Sequence, residues 1–240
     1  STASSLLAYQ RPDGGWSLSG YNYTDFQLTA EVVAIVRGLG FTDARLTSGL
    51  SWISAHISAS GESFPANQQY QSTDWALTGL QTTSLTVDGK ISVIGKARTL
   101  LVATQSGDGS WPYMIPPAPA PFIDPTANSV QALALPPPAS RTADEQTAIN
   151  RGVSFLRNTQ KKSGDPSVLG GWPEYYSYTQ VNQTSSIAAL LALLQAGYGA
   201  SDPEVSRGLT WLAGQQLPDG SWANSQDTAL ATVIFQRAGV

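Results

Sequence analysis

Apolar positions along the chain fall into two alternating kinds of run. The first kind is apolar on nearly every side and rich in alanine, over residues 29–36, 75–80, 126–133, 184–191 and 228–235. A small polar cluster precedes each run, and Ser, Thr, Asn or Asp there marks a helix start. A helix without a polar face predicts burial. The second kind is amphipathic, as in residues 202–216, where Val205, Leu209, Trp211 and Leu212 are interleaved with charged neighbours. Glu204 near its start and Arg207 further on suit the helix dipole.

A turn signal separates the two kinds. Gln10–Trp16 reads QRPDGGW, Gln105–Trp111 reads QSGDGSW and Gln216–Trp222 reads QLPDGSW. Two looser copies fill the gaps: residues 151–156 lead to Gln160 and on to Gly170, Gly171 and Trp172, and residues 48–53 lead to Gly61 and Phe64. The aromatic anchors at 16, 64, 111, 172 and 222 recur about every 50 residues, with one longer unit. Each unit is an outer amphipathic helix, a turn and an inner apolar helix. This predicts an all-α chain, an α/α toroid in which five to six outer/inner helix hairpins form a double ring. The proline-rich pieces 116–121 and 136–138 do not break the repeat phase, so residues 1–240 read as one domain. A sixth pair has its best candidate segment at 83–92.

Composition removes several functions. Charged residues are 12% of the 240, net charge is −4, and no basic run exists to neutralise phosphates, which excludes nucleic acid. There is no cysteine, hence no disulfide, zinc-thiolate site or thiol nucleophile. The longest apolar stretch, 187–194, is far short of the roughly 20 residues of a membrane-spanning helix. A weakly charged, Ser- and Thr-rich exterior and a start at Ser1 suit a secreted or cell-surface bacterial fragment, with neighbouring domains of the same parent chain as partners.

Arg207-Gly208-x-x-Trp211-Leu212-x-x-x-Gln216-x-x-x-Gly220-x-Trp222 resembles the full QW repeat of squalene-hopene and oxidosqualene cyclases, and Lys96 to Trp111 is similar to it. The resemblance covers essentially the whole chain. It implies the α/α toroid of the terpenoid cyclase and protein prenyltransferase superfamily; activity must be read from the site.

Class II cyclases of this type protonate their substrate with an aspartic acid at an inner-helix start, the third residue of Asp-x-Asp-Asp-Thr-Ala. Here that segment is Asn224-Ser225-Gln226-Asp227-Thr228-Ala229, and the amide of Gln226 cannot deliver the proton. Asp227 has a plain helix-capping reading. Residues Asp124-Pro125-Thr126-Ala127-Asn128 are similar to the Asp-Cys-Thr-Ala-Glu of oxidosqualene cyclases, which makes Asp124 the one candidate catalytic acid; an ordinary cap is its alternative. No Asp-Asp pair exists to hold magnesium and diphosphate, and the prenyltransferase zinc site needs a cysteine. No metal or cofactor is expected, and His56 reads as a surface or packing residue.

Aromatic residues gather between anchors and inner helices. Tyr23, Trp75, Tyr113, Phe122, Tyr175, Tyr176 and Tyr178 are candidate ligand contacts, and sealing the ends of the barrel is their alternative. The leading expectation is a toroid without a complete catalytic set, a binding or structural module with a pocket for a hydrophobic small molecule. The rivals are a small class II-like cyclase using Asp124 and a transcobalamin-like corrinoid binder.

Overall fold

The computed structural model describes residues 7–17, 22–38, 41–56, 90–112 and 122–240. These residues form eight α-helices, one 3-10 turn and no strand. The helices are α1 (Phe26–Gly38), α2 (Ala44–His56), α3 (Lys90–Thr104), α4 (Ile123–Ala134), α5 (Ala143–Thr159), α6 (Gln183–Gln195), α7 (Pro203–Gly214) and α8 (Ser225–Ala238). The 29–36, 126–133, 184–191 and 228–235 runs lie inside α1, α4, α6 and α8. Residues 75–80, together with Gly61, Phe64 and residues 83–89 of the 83–92 segment, lie outside the described residues.

The chain packs as two compact units, residues 1–104 with 114–116, and residues 105–113 with 117–240. In the first unit α1 lies against α2 over a core that includes Trp16, Phe26, Val33, Leu46, Leu50 and Ile53. His56 stacks on Trp52 with ring centroids 3.9 Å apart, a packing role.

In the second unit α4, α6 and α8 form a row, with α5 and α7 laid over it. Composition explains the two layers. Helix α6 buries Ile187, Ala189, Leu190, Leu191, Ala192 and Leu193, so almost no side of it meets water, whereas α5 and α7 bury one stripe and keep a polar face. Helix starts follow the sequence signals. Thr142 and Glu145 make a reciprocal capping box on α5, while Asn182 and Asn224 cap α6 and α8. Pro125 sits in the first turn of α4, where no backbone donor is lost.

The repeated turn is tied to the outer helix that follows it. Gln160 Nε2 donates to Gly170 O of its own turn at 2.9 Å and to Glu204 O in the first turn of α7 at 2.8 Å. Gln10 makes the same pair with Gly14 and Arg45, and Gln105 with Gly109 and Ala148. Four residues past each helix acceptor stands a glycine, Gly49, Gly152 or Gly208, against which the anchor Trp16, Trp111 or Trp172 packs. A Cβ at Gly152 would lie 2.8 Å from the Trp111 ring, so no larger residue fits without displacement. The tryptophan is in turn tied to the inner helix. The backbone N–H groups of Trp16, Trp111, Trp172 and Trp222 donate to the hydroxyls of Thr29, Thr126, Ser186 and Thr228 at 2.8–3.0 Å.

Candidate functional site

The tie between anchor and inner helix fixes where each inner helix begins, and chemistry-bearing side chains collect at those beginnings. Asp124 is the second residue of α4, two places before Thr126. The residue in the cap position is Phe122, and no side chain caps α4, so Asp124 does not act as an ordinary cap. Its Oδ1 is enclosed and has no hydrogen-bond partner.

Burial raises the Asp124 pKa from 3.8 to about 6, and the negative charges of Glu174 and Asp227 push the same way. Ser185 opposes the shift as a hydroxyl near the carboxylate. The contact is loose: Ser185 Oγ, fully buried, makes no hydrogen bond of acceptable geometry.

Asp227 is the third residue of α8 and is 2% exposed. Asn224, not Asp227, caps this helix, accepting the Asp227 N–H at 2.8 Å. The Asp227 carboxylate instead takes a 2.8 Å bond from Gln183 Nε2 at the start of α6. Three inner helices therefore bring Asp124, Gln183, Ser185 and Asp227 to one end of the row. Gln226, beside Asp227, is exposed.

Aromatic side chains adjoin this end. The Phe122 and Tyr175 ring centroids are 4.0 Å apart, and those of Tyr175 and Tyr178 are 4.7 Å apart. The loop that carries Tyr175 is pinned to α4 because Ile123 N–H donates to Glu174 O at 3.0 Å. Tyr176 and Tyr178 are each 51% exposed, so they border the cluster from solvent. Tyr23 is an exposed residue of the first unit, and Trp75 and Tyr113 lie outside the described residues.

Of the residues expected to act together, Phe122, Tyr175 and Tyr178 are in ring contact, and Asp124 lies two residues after Phe122 at the start of the same helix. Sequence reasoning missed Gln183, Ser185 and Glu174. For Ser185 the signal was the repeat register: Ser185 precedes Ser186 as Asp227 precedes Thr228, which placed both at the same helix end. Among the described residues no cluster of three or more His, Cys, Asp or Glu is arranged to hold a metal ion. No described helix is long and apolar enough to cross a membrane.

Residues 114–234 match the sequence model of the squalene-hopene cyclase C-terminal domain. The chain belongs to that family. Similar proteins include a squalene-hopene cyclase of Bradyrhizobium diazoefficiens, 30% identical over 153 residues, or 57% of this chain and 22% of the relative. A terpene cyclase/mutase of a Nectria species is 35% identical over 89 residues, covering 37% of this chain and 11% of that protein. The chain thus spans about a fifth or less of these relatives.

Two solved structures share the fold at low identity. The ent-copalyl diphosphate synthase of Streptomyces platensis aligns with 99% of this chain and 46% of its own, with a TM-score of 0.65 and 17% identity. A type II terpene cyclase from Scytonema, solved in complex with geranylgeranyl dihydroxybenzoate, aligns over 97% and 70%, with a TM-score of 0.64 and 18% identity. The squalene-hopene cyclase C-terminal domain family and these neighbours make the fold an all-α, α/α toroid.

Proposed function

We propose that this toroid domain binds a hydrophobic, polyprenoid-type small molecule at the inner-helix starts and does not begin cyclisation from the family's acid position. The observation that carries this reading is Gln226. An amide stands where the family motif has its acid, and it is exposed on α8. Binding needs only an apolar, aromatic wall, which Phe122, Tyr175 and Tyr178 provide beside α4. The reading extends to a secreted or cell-surface module of a larger protein, in keeping with 12% charged residues and no cysteine. The test is incubation with squalene, oxidosqualene and geranylgeranyl diphosphate, with bound lipid and products both measured. Retained lipid without cyclised product is expected; a cyclised product overturns the reading.

A second reading has its own observation. Asp124, with its pKa raised to about 6, holds a proton more readily than an ordinary aspartate and is enclosed on one side. Such a group is matched to general-acid work near neutral pH. Protonation of an alkene or epoxide by Asp124 would leave an aspartate whose charge Asp227 and Glu174 oppose, which favours taking the proton back at the end of a cycle. A product lost in Asp124→Asn, with lipid binding retained, would establish it. The corrinoid reading gains nothing from the relatives and structures named above.

A further inference from the structure

Helix α4 turns two different faces to its surroundings. Thr126 holds the backbone of Trp111, and Val130 lies against Gly152 of α5, where an added Cβ would come within 2.5 Å of the valine Cγ2. Residues 124, 128 and 131 fall on the opposite face, roughly 120–180° around the helix from that pair at about 100° per residue. An otherwise apolar helix thus carries Asp124, Asn128 and Gln131 in one line. The same register, counted from the hydroxyl that holds the anchor tryptophan, gives Thr184, Ala188 and Leu191 on α6 and Gln226, Leu230 and Val233 on α8. The first position is polar in all three helices. The second is polar on α4 alone.

Asn128 is 5% exposed, so its amide lies well inside the unit. The amide makes no hydrogen bond with a described residue, although neither of its polar atoms is sealed from solvent. Thr126, two residues earlier and equally buried, is fully used: it accepts from the Trp111 N–H and donates to Phe122 O. One turn nearer the helix start, only one Asp124 carboxyl oxygen, Oδ1, is enclosed, which leaves Oδ2 as the atom a ligand reaches. Side chains four residues apart on a helix stand about 5–6 Å apart at Cβ, so a single oxygen atom can hydrogen-bond both. The Phe122 and Tyr175 rings supply apolar surface beside the same helix start.

We propose that the hydrophobic ligand of this domain is a neutral prenyl alcohol, its hydroxyl held between Asn128 and Asp124, with Asn128 the residue that selects it. The inference rests on the reading that the inner-helix starts bind a polyprenoid, and adds the head group. A hydrocarbon laid over Asn128 strips water from the amide and returns no hydrogen bond. A hydroxyl avoids that loss, because it accepts from Asn128 Nδ2 while donating to the amide oxygen or to the Asp124 carboxyl group. A site arranged around such a group rejects the analogue that lacks it. A diphosphate is rejected for a different reason, since Glu174 and Asp227 add negative charge around Asp124. The prenyl chain then runs over Ala188 and Leu230, the apolar residues at the Asn128 register.

The test compares geranylgeraniol, the hydrocarbon phytane of the same carbon skeleton, and geranylgeranyl diphosphate. Each is delivered from cyclodextrin, and protein-bound lipid is extracted and quantified against concentration. The alcohol should bind at least tenfold more tightly than either of the others. Asn128→Leu, which places at this register the residue type of Leu230, should weaken alcohol binding at least tenfold and leave phytane binding unchanged or stronger. Asn128→Ala, matching Ala188, should show the same split. Damaged packing would weaken both lipids together, and the melting temperature is read alongside. Equal affinity for alcohol and phytane, or equal losses of both in the variants, would overturn selection by Asn128 while leaving a polyprenoid site in place. Tightest binding of the diphosphate would overturn the neutral head group. Retention of none of the three lipids would overturn the polyprenoid reading itself, and this inference with it.

Discussion

Gln160 and Glu204 are 44 positions apart in sequence, yet the Gln160 amide donates to the Glu204 carbonyl at 2.8 Å in a buried joint. The same amide hydrogen-bonds Gly170 O, so both its hydrogens are used. Removing it strands two carbonyls that water reaches poorly. Gln160→Ala should therefore cost about 1–3 kcal/mol of unfolding free energy. Gln216→Ala, with one exposed bond, should stay within roughly 0.5 kcal/mol. Urea unfolding of the two variants checks the difference, and equal losses would mean that the joint is not what the glutamine serves.

Glycines at the joint make a second prediction. A Cβ on Gly170 would lie 2.3 Å from Arg207 O at a φ of 96°, so backbone must move. Gly197 has a similar φ of 100° but open space around its Cβ. Gly170→Ala should lose about 3 kcal/mol or more, against about 1 kcal/mol for Gly197→Ala, where only the left-handed backbone is penalised. Thermal unfolding of both variants separates close packing from conformational strain.

The repeat was legible because its parts are local. Gln, Asp-Gly and Trp lie within seven residues, and Asp108 and Asp219 accept the Ser110 and Ser221 N–H at 3.0 Å, as turn chemistry requires. The second acceptor of each glutamine was not legible, since nothing local marks Arg45, Ala148 or Glu204 as its partner. The role of Gly152 and Gly208 stayed hidden for the same reason: a mid-helix glycine is informative only once the tryptophan facing it is known. At the candidate site Asp124 was visible as a residue type in a motif. Its raised pKa was not, because the burial that causes most of the rise and the charges of Glu174 and Asp227 that add to it come from other segments. Asp227 as a cap was a sound local expectation, displaced because Asn224 occupies the cap position and accepts its N–H.

Acid should weaken the α5–α7 side of the second unit through Glu204. Its carboxylate is paired with Arg157, Lys162 and Arg207 at 3.0, 3.4 and 3.2 Å. Burial alone would raise its pKa, but a bond from its own backbone amide and the charges of Arg157 and Lys162 hold it below the ordinary glutamate value of 4.5. The unfolded chain then binds the proton more readily than the native one. The stabilisation is present above about pH 4.5 and is lost as pH falls through the depressed value. Glu204→Gln should flatten that part of the pH–stability curve and lower the plateau by about 1–3 kcal/mol, since three cations lose their counter-charge. Unfolding curves from pH 3 to 7 give the comparison.

Asp124 runs the other way. Its native pKa of about 6 lies above the 3.8 of the free group, so between these values the native state binds more protons than the unfolded chain. Stability attributable to this residue should fall as pH rises from about 4 to 6, because burial penalises the ionised form and the charges of Glu174 and Asp227 add to the penalty. Two pKa units correspond to about 3 kcal/mol. Asp124→Asn removes the charge and keeps the shape. The variant should be more stable than the parent by up to about 3 kcal/mol at pH 7.5 and nearly equal to it at pH 3.5. Chemical unfolding at the two pH values, with the Asp124 carboxyl followed by NMR titration, decides the matter. A parent that is equally or more stable at pH 7.5 would mean that the carboxylate is ionised at no cost, and the acid reading of this site would go with it.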